Sequence, residues 1–405
     1  MLFQLKMNEL KSEIVINNQD ECSINLEKLA NYPATAAILH EILSPCHFNT
    51  STIQDIAKSV SSVSGKMFYS PTHRLVKDRE KLLISPIVPE KVVVNGTHTH
   101  TAPTLSLTAS KLPAADNIMD YLEVIDFLAE RIADAAVTAW KNRKPGKIAF
   151  GLEFGVIGWS RRTVYADGRA AMYGGTNQGD FRAMEAMEDH DIGSIFFLDE
   201  NDKPLAVAVN VACPSQVVEG RHKINADFWH PVRETLAKRF GENLVVLGWC
   251  SAAGDIAPRP IYRKAAVERM NSLRGLDEMP EIARKIDRAV ADTWEAVRTT
   301  ASSDVPLAHR VETLQLPMRK VTGEEYAQAK AECEKIAAAL KANPNKAHAE
   351  VDWMAGGWHG GVVERYEAQQ KDPDVRYPST IHVIRLGDTA IFTNQFELFP
   401  TSAFK

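Results

Sequence analysis

The chain has 405 residues, with 47 Lys and Arg against 52 Asp and Glu and a net charge of -5. A protein of this length buries roughly three quarters of its unfolded surface, so a substantial core is assured. The near balance of charge gives no reason to expect a polyanionic partner, and nucleic acid is not implied. The five cysteines, Cys22, Cys46, Cys213, Cys250 and Cys333, are widely spaced and form no C-x-x-C pair, which excludes a Cys-based zinc finger.

No apolar run reaches the roughly 18 residues of a membrane span. Lys6, Glu9, Lys11 and Glu13 interrupt the apolar stretch that a secretory leader needs. The expected location is therefore cytoplasmic as the chain stands, and secreted or periplasmic if the N-terminus is incomplete.

Residues 1 to 74 mix Asn, Ser, Thr and Lys, and predict one helix, Thr35 to Leu43, stopped by Ser44-Pro45. Ser59 to Ser64 reads as loop. His40, His47 and His73 have no mutual spacing and read as surface histidines, so no chemistry is expected in this segment. After Arg79 the run Val92 to Val94 reads as a buried strand, leading into Asn95-Gly-Thr-His-Thr-His-Thr-Ala-Pro103. Residues two apart on an extended segment face the same way, so His98 and His100 leave the strand end together. Such a pair suits either a metal, since neutral imidazole is a good zinc ligand, or two polar loop positions.

Asp116 to Arg143 carries Ile118, Leu122, Ile125, Ala129, Ile132, Ala136 and Trp140 at spacings of three and four, which predicts an amphipathic helix with one buried stripe. Lys147 to Gly158 predicts a strand running into Ser160-Arg161-Arg162. Two arginines there either hold an oxyanion or form an exposed turn. Glu188-Asp-His-Asp191 is a dense polar cluster before the strand Ser194 to Leu198. Pro204 to Ala212 predicts a strand ending at Cys213-Pro-Ser-Gln216, and Asp227 and Pro231 predict a helix start carrying His230.

Asn243 to Gly248 is an apolar strand entering Ser251-Ala-Ala-Gly-Asp-Ile-Ala-Pro258, with Asp255 in a loop of small residues. Helices are expected over 280–299 and 323–341, a glycine-punctuated loop with His359 over 352–361, and a hairpin turning at Gly387-Asp388 that leads to Glu397. The recurring grammar is a strand followed by a loop bearing His, Asp, Arg or Glu. That pattern predicts an α/β fold with a mixed β-sheet core flanked by helices and a site at the strand-end loops.

Asn95 to Pro103, the Ser-Arg-Arg after a strand, Ser-Ala-Ala-Gly-Asp-Ile-Ala-Pro and Gly-Asp-Thr-Ala-Ile-Phe-Thr-Asn-Gln-Phe-Glu397 together resemble the catalytic domain of neutral/alkaline non-lysosomal ceramidases, in a bacterial branch. The resemblance covers residue 75 onward and leaves residues 1 to 74 unmatched; the family's immunoglobulin-like domain falls beyond Lys405. It implies a zinc-dependent (Zn2+) hydrolase of an N-acyl amide bond, with His98 and Glu397 as zinc ligands and His100 and Arg161 at the scissile carbonyl. Cys213-Pro214-Ser215 stands where the family has its second zinc histidine, and Ala257 where it has its nucleophilic serine.

The expected metal set is thus His98, Glu397 and a replacement imidazole, with His230 first and His190 or His359 behind it. A zinc-bound water would attack the carbonyl, His100 and Arg161 would stabilise the oxyanion, and Asp255 or Asp227 would orient a ligand histidine. The expected partner is a small-molecule, lipid or glycan amide, an N-acyl amino sugar included, with no nucleic acid. The alternative is a binding protein that keeps the fold without the chemistry.

Overall fold

The computed structural model describes residues 7, 10–17, 22–60, 66–70, 72–86, 93–103, 119, 121–185, 187–221, 223–342 and 350–403. It divides into two compact units, Met1–Val93 and Val94–Lys405. The division falls after Val93 and not at residue 74, because the strands after residue 72 complete the sheet of the first unit.

The first unit is a five-stranded antiparallel sheet backed by helices. Its strands are β1 (Val15–Asn17), β2 (Cys22–Asn25), β3 (Met67–Tyr69), β4 (His73–Lys77) and β5 (Lys81–Pro86), in the order β1-β2-β5-β4-β3. Three helices, α1 (Leu26–Ala30), α2 (Thr35–Leu43) and α3 (Thr50–Ser59), lie between β2 and β3 in sequence. Asn25 and Asn49 start α1 and α3 by accepting the N–H of Lys28 and Thr52, three residues on, which satisfies one otherwise orphaned donor in each helix. The sequence-predicted helix over 35–43 forms as α2, and the chain leaves it through Ser44–Cys46 with His47 left-handed at φ 61°.

Alternation along the strands decides what each face does. Ile24, Leu75, Leu82 and Ile84 point to the helices and join Leu29, Leu39, Leu43, Ile53 and Ile56 in one buried core. Each such side chain contributes about 1.5–3 kcal/mol by leaving water.

The second unit opens with α4 (Tyr121–Asn142) and centres on a four-stranded sheet. Its strands are β6 (Lys147–Phe154), β11 (Asp191–Leu198), β12 (Pro204–Val211) and β13 (Val245–Cys250), in the order β13-β12-β11-β6. The pairs β6/β11 and β11/β12 are antiparallel and β12/β13 is parallel. The parallel pair needs a crossover, which α5 (Trp229–Phe240) supplies. Together with the first unit this is a mixed α/β protein, as the strand-and-loop pattern predicts.

Between β6 and β11 lie β7 (Trp159–Ser160), β8 (Arg162–Tyr165), β9 (Ala170–Met172) and β10 (Phe181–Met184). After β13 come β14 (Ile256–Ala257), paired with β7, then α6 (Lys264–Arg274) and α7 (Glu278–Val297). Helices α5 and α7 cover one face of the sheet, and Phe196, Val207, Val209, Val232, Leu236, Ile286 and Val290 form its core. A further sheet, β15 (Leu307–Pro317), β16 (Arg376–Leu386) and β17 (Thr389–Phe392), is interrupted in sequence by α8 (Gly323–Ala342) and α9 (Glu350–Lys371).

Three sequence expectations change. Residues 93–98 form no strand, and Val93 and Val94 are exposed; Val92 is outside the described residues. The stripe of the long helix is not buried, since Leu122, Ala129, Ile132, Ala136 and Trp140 are exposed along α4 and Ile125 is half-buried; Asp116 and Ile118 are outside the described residues. The segment 352–361 is helical, within α9, in spite of its glycines. Helical propensity is a weak prior, and here Tyr366 stacks on Tyr326 of α8 while the Gln369 amide bonds both backbone groups of Val321.

In α7, Glu281 is buried and receives a two-pronged bond from Arg284 at 2.7 and 2.8 Å, with Arg274 at 3.4 Å. The Arg284 hydrogen bonds outweigh burial and hold this carboxyl below the usual range. A depressed folded value contributes stability above the unfolded value that is lost as pH falls through the folded one. Because both arginines are part-exposed, the Glu281→Gln substitution is expected to cost about 2 kcal/mol at pH 7. Urea unfolding should show that loss at pH 7 and the difference shrinking in acid.

Candidate functional site

Two surfaces carry the chemistry, one in each unit. In the first, the sheet face away from the helices presents a row formed by register: Ile16 opposite Ser23, Ser23 opposite Leu83, Leu83 opposite Val76 and Val76 opposite Met67. Beside it runs Tyr69 opposite Arg74 opposite Ser85, with Arg74 Nε donating to Ser85 Oγ at 2.9 Å. Tyr69 is 55 % exposed, and Arg74 is exposed with it. At the other end of β4, Lys66, Arg79 and Lys81 are exposed near the turn into β5, where the Lys77 N–H reaches the Lys66 carbonyl and the Asp78 N–H that of Lys81. None of Lys66, Arg74, Arg79 and Lys81 has an ion-pair partner among the described residues. An exposed aromatic among unneutralised cations can stack a base and hold phosphates.

In the second unit, the segment from Thr97 to Thr101 runs beside Ser215. The His100 N–H donates to the Ser215 carbonyl and the Ser215 N–H to the His98 carbonyl, each at 3.0 Å, and Ser215 Oγ donates to the Thr97 carbonyl. His98 is left-handed, with φ 53°. The two imidazoles are nearly parallel, 5.4 Å apart at their centroids. His98 Nε2 lies 3.5 Å from Glu397 Oε1, and His100 Nδ1 lies 2.9 Å from Glu219 Oε2. Burial lowers the His98 pKa more than the nearby Glu397 carboxylate raises it, so this ring is neutral at pH 7.

Arg161 sits between β7 and β8. It donates to the Gly254 carbonyl at 2.7 Å and to Tyr173 Oη at 3.0 Å, leaving a buried Nε without a partner among the described residues. Gln216 donates to Tyr173 Oη at 3.1 Å and lies 3.5 Å from Glu219, so Arg161, Tyr173, Gln216, Glu219 and His100 are linked in one polar chain. Gly254 must be glycine: a Cβ there would fall 2.4 Å from the Glu397 carbonyl oxygen. Asp255 is buried with Oδ1 unpartnered among the described residues, its backbone carbonyl takes the Arg161 N–H, and burial pushes its carboxyl up.

Of the sequence-predicted residues, the structure brings together His98, His100, Arg161 and Glu397. His230 is exposed and faces Glu234 at 3.6 Å, one helical turn on. Asp227, expected to cap that helix, instead takes the N–H groups of Val218 and Phe228. His190 pairs with Glu188 at 3.5 Å, and His359 is half-buried on α9. Among the described residues no three His, Cys, Asp or Glu side chains converge to hold a metal ion. A catalytic zinc ordinarily has three protein ligands; His98 and Glu397 supply two, so the set does not fit zinc and no step is routed through it. Glu219, Gln216 and Tyr173 were not read from sequence, although Gln216 closes a motif that was.

Residues 17–87 match the family model described as the TilS substrate binding domain. The tRNA(Ile)-lysidine synthase of Bacteroides thetaiotaomicron is 36 % identical over 89 residues, which is 22 % of this chain and 20 % of that protein. That of Porphyromonas gingivalis is 32 % identical over 71 residues, 18 % of this chain and 16 % of that protein. The chain thus spans about a fifth of the length of these curated relatives. The solved neutral ceramidase of Pseudomonas aeruginosa aligns at 14 % identity and a TM-score of 0.35, over 49 % of this chain and 30 % of its own. A likeness that slight carries no argument.

These matches overturn the ceramidase resemblance and, with it, the expected zinc amidase acting on ceramide, glycan or another N-acyl amide. The curated relatives are tRNA(Ile)-lysidine synthases, and they match the segment that the ceramidase reading left unassigned. The exclusion of nucleic acid falls as well. It rested on net charge averaged over the whole chain, which hides the local excess of cations on β3 to β5. No helix among the described residues is long and apolar enough to cross a membrane.

Proposed function

We propose that this protein binds a transfer RNA through its first unit and is an enzyme acting on RNA. The observation that carries the reading is the coincidence of the substrate-binding match, residues 17–87, with a self-contained fold whose core runs from Ile14 to Ile84. The docking surface is the β3–β4–β5 face, where Tyr69 stacks on an exposed base and Lys66, Arg74, Arg79 and Lys81 neutralise phosphates. Proton transfer, in this reading, falls to the second unit: neutral His98 as base, His100 with Glu219 beside it, and Arg161 facing developing negative charge, with Asp255 holding the Arg161 backbone.

The test is tRNA binding by the full chain across a salt series. Affinity is expected to fall log-linearly with salt, and the Lys66→Glu, Arg74→Glu and Lys81→Glu triple variant should lose at least about tenfold and flatten the slope by about one per phosphate contact removed. Salt-independent binding, or an unchanged slope in the variant, would exclude this surface as the RNA interface.

A further inference from the structure

A cavity of about 320 Å³ lies in the second unit between β7, the end of β10, the approach to β11 and the loop after β14. Trp159, Met184 and Tyr262 give it apolar walls, and Glu188, His190 and Arg263 give it polar ones. None of the residues assigned above to RNA docking or proton transfer lines it.

Three features define its occupant. The Tyr262 ring is supported by stacking on Phe181, with centroids 5.8 Å apart and planes 26° from parallel. With Trp159 it offers aromatic surface to a planar group. Glu188 is anchored through Oε1 by the Ser160 N–H at 2.8 Å, and Oε2, 3.5 Å from His190 Nε2, keeps lone pairs for a further donor. Arg263 is exposed and its guanidinium makes no hydrogen bond or ion pair among the described residues, so it is available to an anion. A flat ring, an N–H donor and a negative group at separate walls describe an amino-bearing nucleotide, and the volume suits a ligand of that size.

We propose that this cavity binds a single nucleotide with an exocyclic amine, its base against Trp159 and Tyr262, its amine donating to Glu188 and its phosphate on Arg263. A carboxylate accepts from an amino base and repels the carbonyl edge of uracil. The site therefore prefers AMP to UMP. The ligand is either a free nucleotide or one nucleotide of an RNA strand, and the site chemistry is the same for both.

Calorimetric titration of the full chain with AMP tests the proposal. Saturable one-to-one binding is expected, with quenching of Trp159 fluorescence that the Trp159→Phe variant loses while still binding. Arg263→Ala should weaken AMP at least about tenfold and leave adenosine unchanged, since only the nucleotide carries the phosphate. Glu188→Gln keeps the Ser160 contact and should erase the preference for AMP over UMP. Displacement of AMP by an adenosine-terminated RNA pentamer would assign the site to RNA, and lack of displacement to free nucleotide; either result upholds a nucleotide site. Absence of saturable AMP binding, ribose 5-phosphate binding as tightly as AMP, or Arg263→Ala leaving AMP affinity intact would overturn it.

Discussion

Trp229→Ala is expected to lower the stability of the second unit by about 4 kcal/mol, the range for deleting a fully buried tryptophan. The ring is 1 % exposed, packs against Phe228 at 5.3 Å and lies flat against Gly248 of β13. A Cβ at Gly248 would come within 2.4 Å of the indole, so the ring packs directly on the strand backbone and its removal leaves a void between helix and strand. Part of the loss is offset, because the indole Nε1 is buried without a partner among the described residues and its removal relieves an unsatisfied donor. Trp229→Phe keeps most of the ring and discards that donor, and is expected to cost far less. Denaturant unfolding of both variants checks the pair; equal losses would mean that the N–H and not the packed ring is what matters.

In the first unit the Leu75→Ala substitution is expected to cost about 3 kcal/mol and, with it, RNA affinity. Leu75 is fully buried at the centre of β4, opposite Phe68 on β3 and Ile84 on β5, and so joins the edge hairpin to the helices behind it. Its neighbour Arg74 points to the other face, opposite Tyr69. A cavity on the core side loosens the strands that hold the binding residues in register, and a hairpin without a packed face is marginal in water. Faster amide exchange in β3 and β4, together with weaker tRNA binding, is the expected outcome. Unchanged affinity despite the lost stability would separate the binding surface from this hairpin.

Much of the local structure is legible in the residues. The helix over 35–43, the strands from Lys147, Ser194, Pro204 and Asn243, the helix opened by Pro231 and the hairpin at Gly387-Asp388 all announce themselves, because periodicity and turn chemistry act between near neighbours. The Thr-His-Thr-His motif, Arg161 and Glu397 also stand out by residue type at strand ends, and the fold does gather them. The first unit was missed for a physical reason: its strands are three to six residues long, each too short for a strong alternating signal, and the pairing that closes the sheet, β2 with β5, crosses a long sequence gap.

Local sequence therefore determined the longer helices and strands of the second unit's sheet and which residues are chemically able. Tertiary structure alone decided which of them act together. It left His230 exposed beside Glu234 of its own helix, and it joined His100 to Glu219, a contact that depends on how loops more than a hundred residues apart are laid side by side. It also decided that Arg74 and Tyr69 share an open face, because in a strand the direction of every side chain follows from register, and register is set by the partner strand.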